Sequence, residues 1–431
     1  MQFVSTRGND RVGIDQALRL GPARDGGLYV PERLPALAIE RFADADDLAT
    51  VSTRLLASFF DESRLKPELA SIAAEAFQFP VPLVKLRAPG DYLLELFHGP
   101  SAAFKDIGAR FLAAALHRLH DQGQQEITVL TATSGDTGSA VAAAFHRRPG
   151  FRVVILFPEG GVSARQAHLL SCFGDNVTTY RVQGSFDDCQ AMVKAAFGDR
   201  DLQDRRPLTS ANSISLGRLL PQMGHYALAA LQHWRVHATP LNFIIPSGNL
   251  GNALAALYAR QIGLPIGAIQ LATNANRVLA DFFSSGEYRA RPSQPTLANA
   301  MDIGAPSNLE RLDVLIPGLP RSDPTISASS VSDAAIAARI RAFYDEQGRA
   351  ICPHTATAAE LLARTRAAGD RRAWCVVATA HPAKFEAVVE PLIGASLPIP
   401  PSLLPWLARP AQAIALTASA DALRDRLAAG A

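Results

Sequence analysis

A chain of 431 residues, 48% hydrophobic and 19% charged, has room for two or three domains with substantial cores. Its 42 basic and 40 acidic side chains nearly cancel, leaving a formal net charge of +2, and no long basic run is present, which argues against a nucleic-acid surface. The four cysteines, Cys172, Cys189, Cys352 and Cys375, include no C-x-x-C pair, so neither a disulfide framework nor a zinc site is expected.

The first residues lack the charged start and apolar stretch of a signal peptide, and no apolar run is long enough to span a bilayer. A reducing, cytoplasmic setting without a membrane partner is therefore expected. Residues 1–90 read as a separate, mainly helical cap. A strand is expected over 2–5 and a helix over 13–20. The turn Asp25-Gly26-Gly27 and an extended stretch over 28–31 follow, then helices around 45–60 and 66–76. This segment carries no obvious chemistry.

From about residue 92 the pattern changes. A strand over 93–97 leads into His98-Gly99-Pro100-Ser101-Ala102-Ala103-Phe104-Lys105-Asp106. Ser101 is expected to cap a helix whose apolar face carries Phe104, Gly108, Phe111, Leu112, Ala115 and Leu119. Lys105 falls in the first turn, where the positive end of the helix dipole disfavours an ammonium. Partial burial acts in the same direction. A neutral amine is what a lysine needs to attack a carbonyl. Taken alone, the stretch reads more readily as a surface lysine near a helix start.

Strands over 127–132, 153–157, 177–182, 242–245, 268–273 and 374–379 alternate with helices over 138–146, 163–172, 186–197, 216–234, 249–261 and 276–283. Short β-branched runs alternating with amphipathic helices mean βαβ units and parallel sheets covered on both faces. Residues 289–308 and 317–330 read as long loops rich in Pro, Ser and Asn. Helices are expected over 331–346 and 354–367. A proline-rich tail after 393 ends in a helix over 418–427.

Three strand-to-helix loops carry polar chemistry. Thr131-Ala132-Thr133-Ser134-Gly135-Asp136-Thr137-Gly138 offers four hydroxyls at a helix start. It could hold a carboxylate or phosphate, or simply cap a helix. Pro246-Ser247-Gly248-Asn249-Leu250-Gly251-Asn252 lets backbone approach an anion at a helix N-terminus, and it is neither a Walker loop nor a dinucleotide fingerprint. Thr379, in Ala378-Thr379-Ala380-His381-Pro382, ends the last core strand, where ligands of open α/β sheets bind. Lys384 reads as a solvated helix residue. His117 and His120 share a helix face without a third ligand, so no metal is expected. No G-x-S-x-G elbow is present.

A lysine with carbonyl chemistry beside a glycine-rich phosphate cup implies pyridoxal phosphate. Here the motifs become recognisable. Ser5-Thr6-Arg7-Gly8 with Asp25-Gly26-Gly27-Leu28-Tyr29-Val30-Pro31 is similar to the N-terminal signature of threonine synthases, in their longer bacterial and fungal branch. Phe97-His98-Gly99-Pro100 through Phe104-Lys105-Asp106 resembles the cofactor-lysine motif of that family. Thr131 to Gly138, Ser210-Ala211-Asn212-Ser213-Ile214, Ser247-Gly248-Asn249, Asn299-Ala300-Met301-Asp302, Pro306-Ser307-Asn308 and Thr379-Ala380-His381-Pro382 follow in the family's order.

The resemblance implies an α/β fold of pyridoxal-phosphate fold type II, similar to the tryptophan synthase β chain. Two open, mostly parallel sheets flanked by helices would follow the N-terminal mainly helical domain. It would divide the chain into 1–90, a smaller α/β domain with the cofactor lysine at 91–215, a larger one with the phosphate cup at 216–395, and a tail at 396–431. Lys105 would hold pyridoxal 5'-phosphate covalently and move protons at the substrate Cα and Cβ. Gly248, Asn249, Leu250, Gly251 and Asn252 would cradle the cofactor phosphate, and Thr379 would meet the pyridine nitrogen with a neutral hydroxyl. Ser134, Asp136, Thr137, Asn212 and Arg218 would meet the substrate.

The implied reaction is that of a carbon–oxygen lyase acting on phosphates: O-phospho-L-homoserine and water give L-threonine and phosphate. It is the last step of threonine biosynthesis, carried out by a monomer or homodimer. The chain departs from the family at Gly161, where a basic residue is usual, with Glu159 nearby, and at Ser215, where Asn is usual. Leu250 stands for Phe, and Asn276-Arg277 with Asp281 reverses a usual Asp-then-Arg order. The first two departures concern the substrate's phosphate. They leave open a related phospholyase or dehydratase on the same scaffold, with a non-catalytic paralogue as a third reading.

Overall fold

Strands that are buried on both faces need no alternation of apolar and polar residues, and two of them mark the centres of two sheets. Phe151–Pro158 and Leu241–Pro246 are buried along their whole length. The computed structural model describes residues 1–121 and 124–429, so the last two residues of the expected tail lie outside it.

The five-stranded sheet runs, in spatial order, Ile414–Thr417, Val177–Gln183, Phe151–Pro158, Ile127–Ala132 and Leu208–Ser210, with every neighbouring pair parallel. The six-stranded sheet runs Ile326–Ser330, Ile266–Thr273, Leu241–Pro246, Trp374–Ala378, Asp91–Glu95 and Leu83–Lys85. It is parallel except for its last pair. A three-stranded antiparallel sheet of Arg11–Gly13, Gln2–Ser5 and Tyr29–Pro31 accompanies the N-terminal helices Ile14–Leu20, Leu48–Leu56 and Leu69–Ala76.

The Lys105–Leu119 helix joins these parts. Its Phe111 packs against Phe60 and Phe77 of the N-terminal unit, at ring separations of 6.1 and 6.2 Å. One apolar core therefore continues from the N-terminal helices through this helix into both sheets.

Several expectations need correction. Ile326–Ser330 lies inside the expected 317–330 loop but is an edge strand, and only Ile326 is buried in it. Ile414–Thr417, in the tail, pairs with Val177–Gln183 and buries only Leu416. Such edge strands bury too few residues to show a period. The expected helix over 216–234 is three pieces, Leu216–Leu219, a 3-10 turn Leu220–Gln222 and Met223–His237, because Pro221 interrupts the ladder. Sheet membership also crosses the divisions read from sequence. Asp91–Glu95 belongs to the six-stranded sheet beside Trp374–Ala378, and the tail strand belongs to the five-stranded one. Among the described residues no helix is long and apolar enough to cross a membrane.

Candidate active site

The chain leaves Glu95 at the carboxyl edge of its sheet and must turn before entering the Lys105–Leu119 helix. Ser101 does not cap that helix as expected: its hydroxyl has no partner, and the helix starts at Lys105 behind Phe104. The cap works in the opposite sense. The Asp106 carboxylate accepts the Ser101 N–H at 2.9 Å. Gly99 makes this possible, since a Cβ there would lie 2.8 Å from the Asp106 Cβ. The loop is stapled to the end of the last core strand. Phe104 N–H donates to the Thr379 carbonyl at 2.8 Å, and His381 N–H donates to the Ala102 carbonyl at 3.0 Å. These bonds bring Thr379 beside the start of the lysine helix.

Lys105 is the first residue of its helix, with its side chain 12% exposed. Burial pushes its ammonium down to about 8, with Lys384 and Arg218 acting in the same direction and Asp136 opposing. The Asp136 carboxylate lies 4.0 Å away. Asp136 opens the helix Asp136–Phe145, after Thr133 has used its hydroxyl to accept the N–H groups of Gly135 and Gly138. Burial raises its pKa, but the positive charges of Lys384 and Lys105 outweigh burial and hold it below the usual carboxylate range. Lys384 is fully buried, with its Nζ 2.7 Å from Asp136, which corrects the reading of Lys384 as a solvated residue.

Opposite Lys105, Leu241–Pro246 runs into the helix Gly251–Gln261 through Ser247 to Leu250. Among the described residues the N–H groups of Gly248, Asn249, Leu250, Gly251 and Asn252 donate to no protein acceptor. Leu250 is held at φ 64°, a left-handed conformation that costs energy in a branched residue and turns successive N–H groups to one side. The loop is braced from behind. Asn308 donates to the Asn249 carbonyl at 2.9 Å, Asn249 donates to the Ser213 hydroxyl at 2.6 Å, and the Tyr226 hydroxyl donates to Asn252 Oδ1 at 2.9 Å. Unpaired N–H groups at a helix N-terminus suit a phosphate.

Arg218 is 2% exposed and donates to the Ala211 carbonyl at 2.7 Å, while its Nε has no partner. Burial pushes it down to about 10, so it remains a cation at neutral pH. The buried Asn212 Oδ1 is also without a partner. Lys105, Ser134, Asp136, Thr137, Asn212, Arg218, the cup residues 248–252 and Thr379 all line one cavity of about 1140 Å³.

Sequence reasoning missed other residues of this cavity. His354 accepts the Ala300 N–H at 3.0 Å, and burial pushes it down to about 4, so it is neutral. Arg24, Lys194 and Arg200 line the outer part, exposed and without an ion pair among the described residues. Position 161 is not on the cavity, and Glu159 pairs with Arg181 on the surface at 3.1 Å. Ser215 is buried behind the lining, with no bond from its hydroxyl. Asn276 braces Asp302 at 3.0 Å, while Arg277 and Asp281 form an i,i+4 pair at 2.8 Å. Among the described residues no cluster suited to a metal ion occurs.

The lysine, the N–H cup and the hydroxyl at the strand end suit an aldehyde cofactor with a phosphate tail, and the fold and site define a pyridoxal-phosphate-dependent enzyme. Residues 75–380 match the pyridoxal-phosphate dependent enzyme family, and residues 2–77 match the threonine synthase N terminus. The chain belongs to the threonine synthase family. It is 38% identical to threonine synthase of Serratia marcescens over 97% of each chain. It is 36% identical to that of Escherichia coli over 92% of this chain and 91% of the relative. The crystal structure of the Escherichia coli threonine synthase superposes with a TM-score of 0.93, at 34% identity and full coverage of both chains. A pyridoxal-phosphate-bound threonine synthase from Brucella melitensis superposes at 0.89, with 32% identity over 100% of this chain and 99% of the other.

Proposed function

We propose that this protein converts O-phospho-L-homoserine and water to L-threonine and phosphate, with Lys105 as the residue that carries the cofactor. The observation that supports it most is the meeting, in one cavity, of a depressed lysine, an N–H cup and a buried arginine whose Nε has no hydrogen-bond partner among the described residues. When bound, pyridoxal phosphate supplies an electron sink for the substrate carbons.

The protein's own groups do the rest. The N–H groups of 248–252 would hold the cofactor phosphate, and the Thr379 hydroxyl would face the ring nitrogen without adding charge. The Lys105 amine would take and return protons at the substrate Cα and Cβ; an amine pushed down to about 8 exchanges protons readily near neutral pH. Arg218, with Asn212 and the hydroxyls of Ser134 and Thr137, receives the substrate's polar groups. A buried cation fixed before the reaction stabilises an anion without reorganisation. The rim cations Arg24, Lys194 and Arg200 favour the entry of a dianionic substrate and the exit of phosphate.

The test is incubation of the purified protein with O-phospho-L-homoserine. Threonine and phosphate in equal amounts are expected. Phosphate released with 2-oxobutyrate and no threonine overturns the reading in favour of a phospholyase.

A further inference from the structure

Lys384 has no part in the reaction just described, yet the fold buries its charge completely. It sits in the 3-10 turn Pro382–Phe385, a few residues beyond the strand Trp374–Ala378. Its Nζ donates to the Ser101 carbonyl at 2.8 Å and lies 2.7 Å from Asp136 Oδ1. The other oxygen of that carboxylate is 4.0 Å from the Lys105 Nζ. Lys384 thus reaches from the edge of the six-stranded sheet to a helix of the five-stranded one, and touches the loop that delivers Lys105.

The turn is anchored from the far side. Ser163 donates to the Lys384 carbonyl at 3.2 Å, Arg165 donates to the Ala383 carbonyl, and Arg165 lies 3.5 Å from Glu386. Gln166 adds a bond to Asp136 at 3.3 Å. A buried ion pair is seldom more stable than an apolar pair of the same volume, so its retention here calls for a role.

We propose that Lys384 is a positioning residue for Lys105: its ammonium orients the Asp136 carboxylate across the cleft and balances its charge, so that this carboxylate does not fix Lys105 as an ammonium. The proposal rests on the reading of Lys105 as the reactive amine. The other charged or titratable groups facing Lys105 agree with it. Arg218 adds positive charge from the Leu216–Leu219 helix. Cys352 and His354, at the start of Pro353–Ala367, are both neutral, because burial raises the thiol and lowers the imidazole. Asp106, on the lysine's own helix, faces Lys384 and is raised to about 6 by burial. Asp136, 4.0 Å from the Lys105 Nζ, is the carboxylate whose charge Lys384 must offset.

The test uses the full-length protein freed of cofactor. Trace acetylation across a pH series, quantified at the Lys105 peptide by mass spectrometry, reads the fraction of neutral amine. In Lys384→Met the midpoint rises by about one pH unit or more, because Asp136 then pairs with Lys105 alone. Lys384→Arg leaves it in place. In Asp136→Asn the midpoint falls below wild type, and adding Lys384→Met to that variant moves it much less than Lys384→Met moves wild type. Where Lys384→Met fails to fold, Lys384→Gln, which keeps an amide donor for the Ser101 carbonyl, is the second variant, and the same rise is expected of it. A midpoint unchanged in the folded Lys384 variant, or raised as far by that substitution in the Asp136→Asn background as in wild type, overturns the proposal. Borohydride fixing the cofactor outside the Lys105 peptide would instead overturn the reading of Lys105 and leave these midpoints standing.

Discussion

The guanidinium of Arg311 donates to the main-chain carbonyl of Tyr29 at 3.0 Å, tying the N-terminal sheet to the support of the cup. The same fully buried side chain donates to Asn308 Oδ1 at 2.9 Å and to the Ile214 carbonyl at 2.7 Å. Burial pushes Arg311 down to about 10, so it is still charged at neutral pH, and its fork is satisfied by neutral acceptors from three parts of the chain. Arg311→Met leaves those acceptors buried and unpaired, at about 1–3 kcal/mol each. A loss of about 3 kcal/mol or more in urea unfolding is expected, together with weaker cofactor binding, since Asn308 braces Asn249. A variant with the wild-type unfolding midpoint would show that the N-terminal unit is held by other contacts.

Gly248 is required by close approach and not by its backbone angles. A Cβ there would meet Met301 Cα at 2.8 Å and Ile303 Cγ1 at 3.1 Å. The segment around Met301 has little freedom to retreat. The neighbouring Asp302 carboxylate accepts from Asn274 and Asn276 side-chain amides at 2.7 and 3.0 Å and from the Thr296 N–H at 3.1 Å. Gly248→Ala therefore moves the cup, at a cost of about 1–3 kcal/mol. Its dissociation constant for pyridoxal phosphate, titrated by fluorescence, is expected to rise roughly tenfold or more. An unchanged constant would exclude the 248–252 N–H groups from the phosphate site.

Much of this site was legible because its residues are punctuated locally. Strand, glycine-rich turn and helix occur together at 131–138 and 246–252, and a lysine in a helix's first turn is conspicuous without any tertiary information. Arg218 and Asn212 enter only through the family resemblance, since nothing near them in the chain shows a buried cation with a free Nε. Lys384 was misread for the same reason. In Ala383-Lys384-Phe385 it looks solvated, and its partner Asp136 lies on the other sheet. Ser101 was a sound cap by type, yet the loop before Lys105 is bonded to Thr379 and His381, and those tertiary bonds outweigh capping preference. The missed strands lie at sheet edges: Ile326–Ser330 and Ile414–Thr417 bury one residue each, and Leu208–Ser210, though buried, is only three residues long, too short to show a period.

Two lysines stand beside Asp136, and chemistry distinguishes them. Lys384 already donates to Ser101 and Asp136 and is fully enclosed, whereas Lys105 lines the cavity. Borohydride reduction of the cofactor-loaded protein should leave the added mass on the peptide containing Lys105 and none on that containing Lys384. Lys105→Ala should bind the cofactor without fixing it and lose about a thousandfold or more in kcat. Mass on the Lys384 peptide would exchange the two roles.

Lys105 also carries a stability prediction, separate from activity. In the cofactor-free protein its pKa is about 8, against 10.5 ordinarily, and burial is the main cause. Below pH 8 both folded and unfolded chains hold the proton, and the folded chain bears the cost of a buried ammonium. Between about 8 and 10.5 the folded chain releases its proton first, so this group's contribution to stability rises with pH and is lost again as pH falls through 8. Lys105→Met removes the buried ammonium while Asp136 keeps Lys384 at 2.7 Å. The variant should therefore be more stable than wild type at pH 7, by up to about 3 kcal/mol, and the gap should close towards pH 10. Urea unfolding of both cofactor-free proteins at the two pH values checks it. A gap that does not change with pH would mean that methionine acts by packing alone and that Lys105 is not held in a depressed state.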